Sequence, residues 1–308
     1  MQTPVLRLGT RGSPLALAQA NETALRLSMA HGWPPGAVEV LPIRTTGDRI
    51  TDRPLSEAGG KGLFTKELED ALADGRIDLA VHSAKDMPTA LPPGLILAAF
   101  LVREDVRDAF LSPHAASLGA LPENAILGTS SLRRKALALR LRSDLRVVEF
   151  RGNVQTRLQK LEDGVAHATM LAVAGLKRLG MIEKATGFTD PETFLPAVGQ
   201  GAIAIETRAD DTRIIDLLKP LNHPETEIAV RAERAFLAVL DGSCRTPIGG
   251  LARAIGKTVT FRGIIVRPDG SEWHEAEREG AASDAEAMAR DAGEELVRRG
   301  GSGFFDEG

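Results

Sequence analysis

Short apolar runs alternate with amphipathic stretches through the first two thirds of the chain, and this alternation constrains the fold most. A short apolar run is typical of a buried strand, and an amphipathic stretch is typical of a helix packed on a sheet. The pattern therefore predicts an α/β architecture, with strands at Val5 to Leu8, Val38 to Ile43, Leu79 to His82, Ile96 to Phe100, Ile126 to Leu127, Val147 to Phe150 and Met170 to Ala172.

An internal repeat divides this α/β part into two lobes. Leu8-Gly9-Thr10 and Leu127-Gly128-Thr129 each follow a predicted strand and precede a serine that opens a helix. Ser13 before a proline is a strong helix start, and Ser130 or Ser131 can cap the second helix. Both starts offer free backbone N–H groups and the positive end of a helix dipole, which suit an anion. For either start alone, structural capping is the favoured interpretation.

The pattern changes after about Leu218. A helical stretch, a turn that holds a cysteine, three alternating runs and a final helix follow, with Pro268-Asp269-Gly270 as a turn signal. These elements predict a smaller C-terminal α+β domain with a three-stranded antiparallel sheet. We place them at Thr226 to Leu240, Leu251 to Ile255, Thr258 to Val266, Glu272 to Glu277 and Ser283 to Arg299.

Basic residues are concentrated in one stretch of an otherwise acidic chain. The 308 residues carry a formal net charge of −4, yet Gly128 to Lys160 holds nine basic and two acidic residues. This concentration indicates a localised anionic partner. Arg133 and Arg134 lie in the first turn of a predicted helix, where the dipole disfavours cations, so a solvated face explains them poorly. We interpret three other basic residues as a solvated helix face, namely Lys135, Arg140 and Arg142.

Further arginines follow predicted strand ends, where open α/β sheets bind ligands. Arg151 ends one strand, and Arg157 and Arg178 lie just after the next two strand ends. A guanidinium group matches a carboxylate with two parallel hydrogen bonds. Several converging arginines therefore predict a ligand with several carboxylates or phosphates.

Nucleic acids and nucleotides are competing anionic partners. The basic stretch contains one aromatic residue, Phe150, which provides poorly for base stacking. Gly199 to Ala204 fits a dinucleotide fingerprint, but a strand-like run follows where the fingerprint requires a helix. Gly59-Gly60-Lys61-Gly62 lacks both the spacing of a P-loop and the hydroxyl residue after lysine. We therefore expect no nucleic-acid partner.

Two single residues are candidates for chemistry. Asp86 follows Lys85 directly after a predicted strand, and a carboxyl group at a strand end can act as a general acid or base. We interpret the nearby His82 as structural. Cys244 is the only cysteine and lies in a turn-rich segment. It is either a small buried apolar residue or a displayed nucleophile or attachment point.

The rest of the sequence narrows the class of protein. It has no run of about 18 apolar residues and no leader-like N-terminus, so we expect a cytoplasmic protein that does not enter a membrane. No Cys/His cluster has metal-site spacing, so we expect no metal. Nothing demands an oligomer, and we expect a monomer.

Eight short motifs occur together in the order and spacing of the porphobilinogen deaminases (hydroxymethylbilane synthases), and on these motifs the chain resembles that family. The resemblance covers nearly the whole chain, and the ordered set is far more specific than any single motif. The motifs are Arg11 to Ala16, Gly59 to Phe64, Val81 to Asp86, Gly128 to Arg134, Arg151 to Val154, Leu171 to Leu176, Pro196 to Gly201 and the turn around Cys244.

The resemblance implies three domains, of which the first two are lobes like those of type II periplasmic binding proteins. Domain 1 would comprise 1–101 and 202–219, with a mobile active-site loop over 45–60, and the chain would return to it through a strand from Ala202 to Glu206. Domain 2 would comprise 107–195 with the basic site, and domain 3 would comprise 224–308 with Cys244.

The resemblance also implies an activity. The family joins four porphobilinogen units head to tail, releases ammonia at each step and frees hydroxymethylbilane for tetrapyrrole (porphyrin, haem) biosynthesis. Its primer is a dipyrromethane cofactor, which the enzyme assembles and holds through a thioether, here on Cys244. Asp86 matches the catalytic carboxylate, which assists loss of the amino group and stabilises the positive azafulvene and pyrrole intermediates.

Matching family positions assign the binding residues. The cofactor is expected to contact Ser13, Lys85, Asp86, Thr129, Ser131, Arg133 and Arg134, with Ser130 as a further hydroxyl donor. Substrate carboxylates are expected to contact Arg11, Ser13, Arg151, Arg157, Arg178 and Lys61, the last of which follows the loop. These roles agree with the chemistry, because every porphobilinogen brings an acetate and a propionate group.

The chain departs from the family pattern at two places. Arg245-Thr246 stands where many relatives have Gln-Val, and His167 replaces a common aspartate.

Two other classes of protein are alternatives to the enzyme. A non-enzymatic anion-binding protein with two lobes would leave Cys244, Asp86 and the third domain without a role. A nucleic-acid binder would explain only the basic stretch.

Overall fold

The chain crosses three times between two structural units. The structure, a computed structural model, describes residues 6–49, 64–240 and 246–306. Unit 1 comprises Met1–Arg103 and Ala202–Glu227, and unit 2 comprises Glu104–Gly201 and Ile228–Gly308.

Unit 1 is built on a five-stranded mixed sheet. Its strands are β1 (Leu6–Arg11), β2 (Val38–Ile43), β3 (Leu79–Ser83), β4 (Leu95–Phe100) and β10 (Ile203–Arg208), and its helices are α1 (Pro14–His31), α2 (Thr46–Arg49), α3 (Lys66–Ala73) and α7 (Thr212–Leu218). The strand order is β2-β1-β3-β10-β4. β1 pairs parallel with β2 and β3, whereas β10 pairs antiparallel with β3 and β4. The return of the chain to the first sheet through β10 confirms the predicted strand.

Both faces of this sheet are covered by helices. Leu79 and Val81 of β3 pack in one cluster with Leu27 of α1 and Ile214 of α7. Ala80, between them, packs on the other face with residues of α3. Successive residues of a strand point to opposite faces, so a strand buried on both faces reads as a continuous apolar run. This is the pattern that the sequence shows.

The first sheet of unit 2 repeats that arrangement. Its strands are β5 (Asp108–Leu111), β6 (Ile126–Gly128), β7 (Arg146–Val148), β8 (Ala168–Ala172) and β9 (Gly187–Phe188), and its helices are α4 (Leu132–Leu141), α5 (Val154–Glu162) and α6 (Val173–Arg178). The order is β7-β6-β8-β5-β9, with β6 parallel to β7 and β8, and β5 antiparallel to β8 and β9. β1 and β6, which begin the two repeats, hold the same place in their sheets. The internal repeat is therefore confirmed, whereas β5 and β9 are strands that the pattern does not predict.

A three-stranded antiparallel sheet follows, as predicted. Its strands are β11 (Ile248–Ile255), β12 (Thr258–Val266) and β13 (Trp273–Ala281), in that order, and α8 (Pro224–Val239) and α9 (Ala285–Gly300) pack with them. Phe236 of α8 lies over Gly263 of β12, where an added Cβ atom would lie 2.5 Å from its ring. The glycine therefore makes room for the aromatic ring.

This small sheet shares a core with the sheet that precedes it in unit 2. Ile264 and Val266 of β12 belong to the same cluster as Leu137 of α4 and Phe194. The turn at Gly270 (φ 77°) also approaches the backbone of α4. Because of this packing, the predicted domains 2 and 3 fall in one unit, and their division into separate domains stays a prediction.

Candidate active site

The cavity of unit 1 lies where parallel strands end. β1 ends at Arg11 and β3 ends at Ser83, and parallel neighbours present their carboxyl ends at one edge of the sheet. Ser13 caps α1, because its Oγ accepts a hydrogen bond from Ala16 N at 3.3 Å. The cavity is lined by Arg11, Ser13, Gln19, Phe64, Ser83 and Asp86, among others. The structure thus brings together three predicted site residues: Arg11, Ser13 and Asp86.

Two contacts shape the cavity wall. The Arg11 guanidinium stacks over the Phe64 ring, with 4.1 Å between its Cζ atom and the ring centroid. Gln19, which is buried, donates from Nε2 to Ser83 Oγ at 2.9 Å. Both contacts limit the rotamers of polar side chains beside the cavity, which prearranges them for a ligand.

Asp86 ends a short 3-10 turn, Ala84–Asp86, that follows β3. The turn is anchored by Ala84, which is buried and donates its N–H to Ala202 O at 3.0 Å. Lys85 is half-buried, and Asp86 is exposed. Within the described residues the Asp86 carboxylate accepts no hydrogen bond and joins no ion pair. A carboxylate held at a cavity in this way is available to a substrate.

A buried histidine and a buried glutamate are paired in the sheet that leads into this turn. His82 Nε2 lies 3.1 Å from Glu206 Oε2, and both side chains are buried. This pairing across β3 and β10 agrees with the structural interpretation of His82. Glu69 of α3 is also buried, and burial raises the pKa of its carboxyl group above the usual value.

The second helix start, in unit 2, uses three neighbouring hydroxyl groups. Ser131 caps α4 by accepting a hydrogen bond from Arg134 N at 3.4 Å, which decides between the two predicted caps. Ser130 Oγ accepts from Phe150 N at 3.1 Å, and Thr129 Oγ1 accepts from Ser131 N at 3.2 Å. Each hydroxyl oxygen is thus fixed by a backbone N–H group.

Arg133 and Arg134 are neither solvated nor turned outward as free cations. Both are about 95% buried, at 4% and 5% exposure, and both bind one carboxylate, that of Asp108 at the start of β5. Burial alone would raise the pKa of Asp108, but the two guanidinium groups outweigh it and hold this pKa well below its usual range. The carboxylate is therefore ionised throughout the physiological pH range.

The other predicted arginines lie on half-buried positions of unit 2. Arg157 of α5 donates from Nε to Gly152 O at 2.9 Å, and Arg178 donates from Nη2 to Gly201 O at 3.1 Å. Arg151 Nε lies 3.9 Å from a carboxylate oxygen of Glu149. Arg151 and Arg157 thus flank one turn, which places two cations at the start of α5.

The solvated-face interpretation is wrong for two of its three residues. The Arg140 side chain is 17% exposed, pairs with Glu275 at 3.1 Å and stacks on Trp273. The Arg142 side chain is 20% exposed and pairs with Asp144 at 2.7 Å. Both charges are used inside unit 2, because the three-stranded sheet and the turn after α4 supply carboxylates.

His167, the departure from the family pattern, has a structural partner. Its Nδ1 atom accepts a hydrogen bond from Ile126 N at 2.8 Å, at the start of β6. An aspartate oxygen can accept the same hydrogen bond. The replacement therefore keeps an acceptor for this backbone group.

Several predicted features lie outside the described residues. These are Lys61, most of the loop over 45–60, Cys244 and Arg245. Three buried polar residues, conversely, were not predicted as site residues: Gln19, Asp108 and Gln200. Gln19 lies six residues after the Ser13 cap on α1, and a polar residue on the buried face of an amphipathic helix was the signal available for it.

Neither a membrane span nor a metal cluster is found in the described residues. No helix there combines the length and the apolar character needed to cross a bilayer. No group of three or more His, Cys, Asp or Glu side chains there is arranged for a metal ion.

Comparison with solved structures gives matches of low sequence identity. A putative methionine-binding lipoprotein from Bacillus subtilis is 13% identical, with a TM-score of 0.42 over 72% of this chain and 92% of that one. A periplasmic substrate-binding protein of an ABC transporter from Coxiella burnetii is 15% identical, with a TM-score of 0.43 over 72% of this chain and 94% of that one.

Sequence comparison is far more specific. A family model described as porphobilinogen deaminase, dipyromethane cofactor binding domain, matches residues 6–216, and one described as porphobilinogen deaminase, C-terminal domain, matches residues 227–298. The porphobilinogen deaminase of Nitrobacter winogradskyi is 59% identical over 97% of this chain and 94% of that protein. That of Paracoccus denitrificans is 57% identical over 99% of this chain and 97% of that protein. The chain therefore belongs to the porphobilinogen deaminase family.

Proposed function

We propose that this chain joins four porphobilinogen molecules head to tail into hydroxymethylbilane, with release of ammonia at each step, for tetrapyrrole biosynthesis. The observation that carries the proposal, beside family membership, is the cavity of unit 1. There an exposed carboxylate, Asp86, stands with a guanidinium, Arg11, and a helix cap, Ser13. The first group suits a developing positive charge, and the other two suit a carboxylate substituent.

The proposed roles follow from these charges. Arg11 and Ser13 bind an acetate or propionate group and so orient the substrate. Asp86 assists departure of the amino group and stabilises the positive charge that develops on the substrate. Arg151, Arg157 and Arg178 of unit 2 bind carboxylates of the growing chain, and Lys61 has the same role. The loop over 45–60 is proposed to exclude water until the final hydrolysis.

The residues of this chain fit a dipyrromethane cofactor. The fit rests on the cluster of Arg133, Arg134 and Asp108, which joins two cations to one anion, and on Arg133 Nε, a buried atom without a hydrogen-bond partner among the described residues. The cofactor would supply a covalent primer for chain growth. Residues proposed to hold it are Ser13, Lys85, Asp86, Thr129, Ser130, Ser131, Arg133 and Arg134, with Cys244 as the thioether anchor.

We further propose a cytoplasmic monomer of three domains without a nucleic-acid partner. The absence of a nucleic-acid role is supported by the basic stretch itself. Arg133, Arg134, Arg140 and Arg142 all bind carboxylates within unit 2. Side chains engaged in this way do not form the exposed basic surface that phosphate backbones require.

The mass of the intact protein tests the proposed function. We expect the purified chain to carry an added mass equal to two pyrrole units, and we expect Cys244→Ser to abolish this addition together with turnover. A protein that only binds anions would have the mass of its sequence. An unmodified wild-type chain with full activity would refute the thioether.

A further inference from the structure

The carboxylate of Asp108 holds two guanidinium groups in fixed positions. Its Oδ2 accepts from Arg133 Nη2 at 2.7 Å, and its Oδ1 accepts from Arg134 Nη2 at 2.7 Å and from Arg134 Nε at 3.1 Å. The second arginine thus binds Oδ1 through two of its nitrogens. Asp108 is 1% exposed, so water does not compete for these bonds.

The arginines are also tied to backbone carbonyl groups. Arg133 Nη1 donates to Leu195 O at 2.7 Å, and Arg134 Nη1 donates to Met170 O at 2.9 Å. Each guanidinium group therefore donates hydrogen bonds both to the Asp108 carboxylate and to a backbone carbonyl group. Neither can turn toward a new ligand without breaking a buried hydrogen bond.

The carboxylate has its own support from a family motif. Gln200, which is fully buried, donates from Nε2 to Asp108 Oδ1 at 3.0 Å and to Val106 O at 2.8 Å. Gly201 (φ 88°) leaves no space for a side chain, because an added Cβ atom would lie 2.4 Å from Glu104 O. The segment Pro196 to Gly201 thus helps to fix Asp108.

The charges of Arg133, Arg134 and Asp108 do not cancel within the cluster. Two guanidinium groups and one ionised carboxylate leave a single net positive charge in a buried place. A buried charge is costly unless it is paired, so the cluster is incomplete without one further anion. Arg133 Nε, which lacks a hydrogen-bond partner among the described residues, is a donor still available to it.

We propose that Asp108 is a positioning residue, which fixes Arg133 and Arg134 and cancels one of their charges so that the pair takes one ligand carboxylate as a single cation. This inference rests on the proposed function, in which these arginines bind the cofactor. It adds that their number of charges and their orientation are set by a third residue that does not itself touch the ligand.

The test is cofactor loading in Asp108→Asn, with Asp105→Asn as the matched control. Asp105 lies three residues earlier and forms a more exposed pair with Arg107. Apo-protein is incubated with increasing porphobilinogen, and the loaded fraction is followed by intact mass. For Asp108→Asn we expect the half-saturating porphobilinogen concentration to rise at least tenfold, while Asp105→Asn behaves as wild type.

A purely structural role predicts a different result. It would reduce the folded and loadable fraction, measured by circular dichroism and final amplitude, without moving the half-saturating concentration, and that result would overturn the proposal. Asp108→Glu covers the case in which the asparagine variant does not fold. It keeps the charge but displaces the carboxylate by one methylene group, so we expect a folded protein with the same rise in half-saturation, and wild-type loading would refute positioning.

The outcomes for Asp108 and for the proposed function are distinguishable. A wild-type chain that never gains the mass of two pyrrole units fails the proposed function, and the positioning role with it. A wild-type chain that loads normally beside an Asp108→Asn variant that loads equally well fails the positioning role alone.

Discussion

Asp86 and Asp108 show how one residue type serves two purposes through its surroundings. Asp108 is buried and saturated with hydrogen bonds from two arginines and Gln200, so its charge is committed to the protein. Asp86 is exposed at a cavity, and its carboxylate has no bond to the described residues. Only the second is available for chemistry with a substrate.

Replacement of Asp86 by asparagine tests this availability. We expect Asp86→Asn to lower kcat by about 100- to 10,000-fold, the range for loss of a catalytic acid or base. The free energy of unfolding should change by less than about 0.5 kcal/mol, because an exposed carboxylate without partners stabilises little. Turnover assays and urea unfolding measure the two effects separately.

The control is Asp74→Asn, at the end of α3, whose exposed pair with Arg76 lies outside the cavity. This variant should keep wild-type turnover. Near-normal rates in Asp86→Asn would contradict its catalytic role, and a large loss of stability there would show that the carboxylate has a structural partner.

The helical and strand elements are largely predictable, and the exceptions have a common cause. Strands that are buried on both faces, such as β3, have clear apolar runs. β12 also has a clear apolar run. β5 and β9 have four and two residues, and a run so short has no detectable period. They are fixed instead by pairing with strands distant in sequence.

The candidate site was predictable to the same degree. Residues at strand ends and helix starts could be predicted as a group, because the topology of parallel strands places them at one edge. The pairing of Arg133 and Arg134 with Asp108 could not, because the partners are 25 and 26 residues apart and Asp108 begins a strand that the pattern misses. The first-turn position argues against a solvated face for the two arginines, but it does not identify their buried partner.

The start of α4 depends on a close approach between two elements. Gly128 ends β6, and an added Cβ atom would lie 2.4 Å from the nearest atom of the Phe150 ring, which is fully buried. We expect Gly128→Ala to lower the free energy of unfolding by about 1–3 kcal/mol, the usual cost of overpacking a core. Chemical denaturation measures this change.

Gly119→Ala is the matched control, since an added Cβ atom there meets nothing within 4 Å. It should change the free energy of unfolding by no more than about 0.5 kcal/mol. Equal stability of the two variants would mean that the Phe150 ring moves aside, and that its contact with β6 does not fix the helix start.

At the scale of the whole molecule, buried and paired carboxyl groups set the response to acid. The Lys177 hydrogen bond lowers the pKa of Glu104, and the Arg107 hydrogen bonds lower that of Asp105. In Asp108 the two arginines outweigh burial and also lower the pKa. A carboxyl group whose pKa is lower in the folded state stabilises the protein above its unfolded value, near 4, and loses this contribution as the pH falls through and below that value.

The free energy of unfolding should therefore decline as the pH falls from about 5 to 3.

Glu69 provides an internal check, because the shift of its pKa has the opposite sign. Burial raises the pKa of Glu69, so its ionised form opposes folding at neutral pH and its protonated form does not. We expect Glu69→Gln, which resembles the protonated form, to stabilise the protein at pH 7 and to have little effect at pH 3.5, where the wild-type group is protonated in both states. Urea unfolding of both proteins at the two pH values measures this. A variant that is stabilised equally at both would show that packing, and not charge, limits stability at this position.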